Sequence, residues 1–155
     1  MKKAILLFAF AALSLQNINA TKRIYTKTDS IRDEKIMKQA SSQPAGTNTI
    51  VYIGRQLLGV PYVAQTLEKG KTEKLVINTM QLDCPTFVEN VLAMHLCVQN
   101  KTTRFADFCS NIQKIRYAGG KVSYPSRLHY FSTWIEDNTK KGIVQEQQAP
   151  NPPFT

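Results

Sequence analysis

Apolar residues recur at helical spacing in five stretches of the chain and at strand spacing almost nowhere. The first stretch follows Asp29 or Ser30, either of which can cap a helix, and places Ile31, Met37 and Ala40 on roughly one face. Ser41 to Asn48, with Pro44 and Gly46, breaks the pattern. Thr49 to Leu58 predicts a second helix with Ile50, Ile53, Leu57 and Leu58 recurring at spacings of three, four and one and Thr47 or Asn48 as cap; Gly59 ends it, and Val60 to Val63 leaves extended. Thr66 to Met80 reads as loop, with Leu75, Val76 and Ile77 as its one strand-like core. The strongest helix runs from Pro85 to Gln99, with Phe87, Val88, Val91, Leu92 and Leu96 in a broad stripe. Arg104 to Ile115 and Leu128 to Asn138 follow as further helices, and Gly142-Ile143-Val144 can open a strand. The expected class is therefore α+β, rich in helix and poor in strand.

Composition changes this picture at both ends. Lys2 and Lys3, an apolar run from Ala4 to Leu15 and a small residue at Ala20 describe a secretory signal peptide over residues 1–20, too short for a stable membrane span. The expected organisation is then a lead-in over 21–48, mobile around its single helix, a domain over 49–144, and a polar, proline-rich, disordered tail over 145–155. The chain has 155 residues, enough for one domain with a real core. Loss of Lys2 and Lys3 takes the formal charge from +9 to +7. The remaining basic residues are scattered with little aromatic interleaving, which describes a solvated surface and not a nucleic-acid footprint.

The candidate chemistry lies in Leu82-Asp83-Cys84-Pro85-Thr86-Phe87-Val88-Glu89. A residue before proline avoids the helical region, and proline suits the first helical position. That places Cys84 at the cap, with its thiol near the free N–H groups of Thr86 and Phe87. The positive end of a helix stabilises a thiolate, and the same N–H groups can hold an oxyanion. Asp83 reads as structural. A thiol nucleophile normally needs a histidine base. Of the two histidines, His95 stands eleven residues later in the same helix, roughly 16 Å along the axis and out of reach. His129 can approach from another element, as a base or as a packing or substrate contact. Cys97 and Cys109 fall on apolar faces and serve as core residues or as a disulfide pair; the sequence leaves both open. No C-x-x-C or H-x-x-H spacing supports a metal site, and no cofactor is called for.

Gln56 to Ala64, containing Leu58-Gly59-Val60-Pro61-Tyr62, followed by Leu82-Asp83-Cys84 and a helix, resembles the NlpC/P60 cysteine-peptidase superfamily. Pro61 to Glu68, Leu82 to Glu89 and Ser126 to Ile135 together resemble its DUF1460 family, exported N-acetylmuramoyl-L-alanine amidase-like enzymes. The resemblance implies a papain-like fold, here mostly its helical N-terminal half with the sheet largely missing. It implies thiol-dependent hydrolysis of the amide between the muramic lactyl group and L-alanine in peptidoglycan fragments, in the periplasm or cell envelope. Cys84 matches the nucleophile. Tyr62 matches a tyrosine that helps position substrate or oxyanion, although a packed loop tyrosine is an equal reading. In that family the catalytic histidine lies on a later strand, beyond the point where this sequence stops, so the expectation is a truncated, weakly active or inactive fragment. The alternatives are a non-catalytic peptidoglycan-binding or interaction protein and a secreted structural domain with a buried thiol.

Overall fold

The computed structural model describes residues 22–145 and 147. The expected signal peptide lies outside these residues, as does most of the tail. Five helices and two short strands follow in the order β1 (Arg23–Ile24), α1 (Lys27–Ser41), α2 (Thr49–Gln56), β2 (Leu75–Val76), α3 (Cys84–Gln99), α4 (Phe105–Arg116) and α5 (Phe131–Lys140). Single helical turns of three residues at Ala118–Gly120 and Tyr124–Ser126 connect α4 to α5. The described part is thus mostly helical with a small parallel sheet, consistent with an α+β class.

Helix α3 is the centre, packed against α1, α2 and α4. Val91, Ala93, Met94 and Cys97 of α3 meet Phe108, Cys109, Ile112 and Ile115 of α4 in one core, joined by Ile36, Met37 and Ala40 of α1 and Ile53 of α2. Burying each larger aliphatic side chain is worth about 1.5–3 kcal/mol. Helix α5 closes the far side through buried Trp134 and Asn138; the Asn138 amide donates to the carbonyls of Ile115 (3.0 Å) and Trp134 (2.9 Å).

The segment expected to be a mobile lead-in is built into this core. Arg23 pairs with Leu75 and Ile24 with Val76, in parallel. The cap of α1 is Thr26, three residues before Asp29 and four before Ser30, and Asp29 is its partner in a capping box. The Thr26 hydroxyl accepts the Asp29 N–H at 3.1 Å, and the Asp29 carboxylate accepts the Thr26 N–H at 2.8 Å. Its inner face also differs from expectation. Ile31 is 60% exposed, whereas Asp29 and Asp33 are buried, because the polar stripe of α1 meets polar partners around Thr79. Glu34 of α1 accepts the Phe105 N–H at 3.0 Å and so caps α4, whose own cap residue Arg104 supplies no side-chain bond.

At the C-terminal side, α5 starts at Phe131, not at Leu128. Leu128 belongs to an extended stretch, where Tyr117 and Arg127 form an antiparallel bridge and the Leu128 N–H donates to the Arg116 carbonyl at 3.0 Å. Gly142-Ile143-Val144 opens no strand. The N–H groups of Ile143 and Val144 both donate to the Asn138 carbonyl, wrapping the chain back over the end of α5.

Candidate active site

Cys84 is the first residue of α3 and is exposed. The cap is Asp83, one residue earlier than the pre-proline rule suggests. Asp83 Oδ1 accepts the Thr86 N–H at 3.0 Å, and Thr86 Oγ1 accepts the Asp83 N–H at 2.9 Å. This reciprocal pair outweighs the pre-proline preference and draws Cys84 into the helix. Two donors expected to face the thiol are consequently used elsewhere. The Thr86 N–H is held by the Asp83 carboxylate, and the Phe87 N–H donates to the Asp83 carbonyl at 2.9 Å.

The thiol opens on a cavity of about 330 Å³ lined mainly by apolar groups: Leu57, Val60, Tyr62, Leu82, Phe87 and Val88. Two chain segments and the first turns of α3, with Phe87 and Val88, form its walls. One leaves the C-terminus of α2, where Gly59 adopts a left-handed φ of 80° and turns the chain toward Tyr62. The other leads into α3 and lines the cavity with Leu82, Asp83 and Cys84. A parallel bridge joins them between Tyr62 and Leu82: the Val63 N–H donates to the Leu82 carbonyl at 2.9 Å and the Leu82 N–H to the Pro61 carbonyl at 3.1 Å. The Tyr62 side chain is 70% exposed at the rim.

A second cavity, about 220 Å³ and polar, shares Asp83 with the first. Glu68, Glu89, Arg116, Arg127 and His129 line it. Arg116 and Glu89 are buried, with Nε donating to Oε2 at 2.7 Å, and Arg116 Nη1 donates to the Val76 carbonyl at 2.6 Å. Arg127 is held by Glu68 at 2.6 Å and faces Glu73 at 3.6 Å.

Cys84 and Tyr62 therefore share one cavity, and His129 lines its neighbour. The exposed His129 ring lies within hydrogen-bonding distance of the Tyr124 carbonyl, 2.9 Å from Nε2, and packs 4.5 Å from the Tyr124 ring. His95 is engaged in the α2–α3 interface, with Nδ1 2.6 Å from Thr49 Oγ1, and burial lowers its pKa. Cys97 and Cys109 are free and buried; burial pushes their thiols up to about 11 and about 12 respectively. Among the described residues no cluster of three or more His, Cys, Asp or Glu side chains has the arrangement of a metal site.

Residues behind the cavity escaped the sequence reading. Asp29, Arg32 and Asp33 of α1 surround buried Thr79, and burial, opposed by the Thr79 hydroxyl and reinforced by the neighbouring Asp29 charge, raises Asp33 to about 7. The one signal for them was three polar residues at spacings of three and one on the side of α1 that also carries Ile36.

Comparison with solved structures gives partial matches. A Bacteroides uniformis N-acetylmuramoyl-L-alanine amidase is 40% identical, with a TM-score of 0.54 over 72% of this chain and 41% of that one. A Bacteroides fragilis protein named as a candidate xylanase is 47% identical, with a TM-score of 0.54 over 58% of this chain and 39% of that one. A Legionella pneumophila protein assigned to the DUF1460 family model shares the fold alone, at 22% identity and a TM-score of 0.58 over 74% of this chain and 38% of that one. The chain thus spans about two-fifths of the length of the solved structures it matches. No curated protein matches it. A family model described as AmiA-like, N-acetylmuramoyl-L-alanine amidase-like, matches residues 52–150, well over half of the chain, and the chain belongs to that family.

Proposed function

We propose that this chain carries the nucleophile half of an exported peptidoglycan amidase of NlpC/P60 type with a papain-like fold, acting on the bond between the muramic lactyl group and L-alanine. The observation that carries the reading is an exposed thiol at the start of a capped helix, open to a cavity, in a chain of the amidase-like family. In the reaction the Cys84 sulfur attacks the lactyl carbonyl carbon as thiolate. The S–C bond forms, the C–N bond breaks, and the amine of L-alanine leaves with a proton. Water then hydrolyses the thioester, releasing the lactyl carboxylate and restoring the thiol. The apolar cavity receives the methyl-bearing groups that flank the scissile bond, and Tyr62 at its rim orients them.

Two proton transfers in this sequence need a partner that the described residues do not bring to the thiol, since neither His95 nor His129 lines its cavity. In our reading that base comes from the part of the longer relatives outside the match. Xylan hydrolysis, the activity suggested by the name of the Bacteroides fragilis protein, is disfavoured. Glycosidases normally use a pair of carboxylates, whereas the one carboxylate at the thiol cavity, Asp83, is occupied as a helix cap.

The test is incubation of the purified chain with muramoyl-L-alanyl peptides, with released peptide followed by mass spectrometry. Little or no turnover is expected from this chain alone. Efficient turnover abolished by Cys84→Ala would confirm the nucleophile and make His129 the base to examine; efficient turnover surviving Cys84→Ala would overturn the reading. Among the described residues no histidine lines the thiol cavity, which also favours a second reading, a peptidoglycan-binding protein without catalysis. Binding to muropeptides that is unchanged in Cys84→Ala, with no turnover in either form, identifies it.

A further inference from the structure

The polar stripe of α1 holds every polar group of one buried residue. Asp29 Oδ1 accepts the Thr79 N–H at 3.2 Å, Asp33 Oδ1 accepts the Thr79 hydroxyl at 2.7 Å, and Arg32 Nη1 donates to the Thr79 carbonyl at 2.8 Å. Thr79 stands three residues before Leu82, where this segment begins to line the cavity. The same guanidinium also reaches the opposite wall: Arg32 Nη2 donates to the carbonyl of Gln56 at 3.3 Å. Gln56 is the last residue of α2, immediately before Leu57 in the cavity lining.

The chains that lead into the two walls are therefore tied at two places, at the cavity by the bridge between Tyr62 and Leu82 and outside its lining by one arginine. The chemistry suits arginine in particular. Its planar fork serves two carbonyls on diverging chains at once, whereas a lysine ammonium is a single flexible point donor. Each carbonyl would otherwise lose a charge-assisted bond, and the Gln56 carbonyl belongs to the unsatisfied last turn of a helix. We propose that Arg32 is a positioning residue for the Cys84 cavity, fixing the separation of its two walls from behind; this rests on the reading of Cys84 as the nucleophile. Arg32 touches neither the thiol nor the cavity lining, so its effect is on the shape presented to whatever approaches the sulfur.

The test compares two thiol reagents on the full chain at fixed pH: iodoacetamide, small and polar, and N-phenylmaleimide, whose ring needs the apolar cavity. Second-order rates at Cys84 are read by intact mass and divided by the rates for free glutathione. In the wild type the normalised ratio favours the maleimide, and in Arg32→Ala and Arg32→Lys it falls at least threefold while Cys97 and Cys109 stay unlabelled. A general loss of stability also moves the ratio toward that of a free thiol, but it exposes Cys97 and Cys109 to the reagents as well, so their continued protection separates the two causes. An unchanged ratio in a folded variant, or no preference in the wild type, overturns the proposal. Should Arg32→Ala fail to fold, Arg32→Lys, which keeps the charge and loses the fork, decides alone. Alkylation needs no turnover, so the two readings fail separately: turnover that survives Cys84→Ala removes the functional reading, while a ratio change still leaves the positioning role standing. Turnover abolished by Cys84→Ala together with an unchanged ratio does the reverse.

Discussion

Helix α3 carries two thiols and places them in opposite environments. Cys84, its first residue, is exposed beside a cavity; Cys97, near its other end, is fully buried against α4, where Asn111 donates to its sulfur at 3.2 Å. Across the interface Cys109 is equally buried. The body of the helix is consumed by packing, and a side chain there is a volume before it is a reagent. The first turn is different because its backbone N–H groups have no partners within the helix and must be met by a cap, which keeps the chain open and polar at that point. Thiol chemistry in this protein follows from position along a helix more than from residue type.

The largest effect expected from that contrast is in native-state alkylation. At neutral pH Cys84 should be modified at the rate of an accessible thiol, whereas Cys97 and Cys109 wait for opening of the α3–α4 core. Opening of a core costs several kcal/mol, so the buried pair should lag by at least about a thousandfold. A time course of intact mass followed by peptide mapping measures it. Comparable rates at all three cysteines would break the contrast outright.

The next effect concerns the body of α3. Arg116→Ala leaves Glu89 buried without its partner and removes the bond to the Val76 carbonyl. Breaking a buried pair in this way costs about 3–5 kcal/mol. Cys84→Ala, an exposed change at the helix start, should move stability by no more than about 0.5 kcal/mol. Denaturant midpoints for the two variants compare the body with the end directly. A similar loss in both would mean that the first turn is as tightly integrated as the core.

The helices around this contrast were legible because their signals are local. Apolar spacing and turn residues mark α2, α3 and α4 to within a few residues, and Leu75-Val76-Ile77 marks β2. What escaped depends on partners distant in sequence. Arg23–Ile24 has no strand signal of its own and exists because Leu75–Val76 is there to pair with. Asp29 looked like a cap because carboxylates commonly are caps, yet it serves the cap from the third helical position and meets Thr79, fifty residues away. The pre-proline preference predicts Cys84 at the cap because it describes a single residue, whereas the capping box of Asp83 and Thr86 acts on the whole turn and makes Cys84 the first helical residue. Within the candidate site, the sequence identified Cys84 and Tyr62, which the fold brings to one cavity. It could not show that His129 opens on the adjoining cavity, since that depends on how the Tyr117–Arg127 bridge turns the chain.

A smaller effect comes from α1, behind the open end of α3. Asp33 is raised from its ordinary value of 3.8 to about 7, chiefly by burial; its Oδ2 has no partner among the described residues. The native state then binds more protons than the unfolded chain between these values, so Asp33 contributes stability that is complete below about pH 4. That contribution falls as pH rises toward 7, by at most about 1.4 kcal/mol per pH unit. In Asp33→Asn the Asp33 contribution to this slope should vanish while the bond from Thr79 has an acceptor in the amide oxygen. Chemical denaturation of both forms at a series of pH values checks it, and an identical pH slope in the variant would place the titration elsewhere. If the buried end of α1 governs the open end of α3, local exchange near Thr79 should follow the same pH window, while the α3–α4 core around Cys97 should not.

The smallest effect is at the cap itself. Asp83→Ala removes the side-chain acceptor for the Thr86 N–H and should cost about 1 kcal/mol, within a range of roughly 0.5–2. Asp83→Asn or Asp83→Ser retains an acceptor and should cost only a fraction of that, as measured by thermal unfolding. The consequence for the thiol is sharper than the number suggests. With the cap gone, Cys84 has no reason to remain the first helical residue: the pre-proline preference reasserts itself, and the helix can begin at Pro85. Amide exchange protection at Phe87, whose N–H now donates to the Asp83 carbonyl, reports that retreat. Loss of protection there in Asp83→Ala, with Asp83→Asn unchanged, would establish that the environment of the exposed thiol is set by the residue before it. Equal protection in both would mean that cavity contacts of Leu82 and Phe87 hold the first turn without the cap.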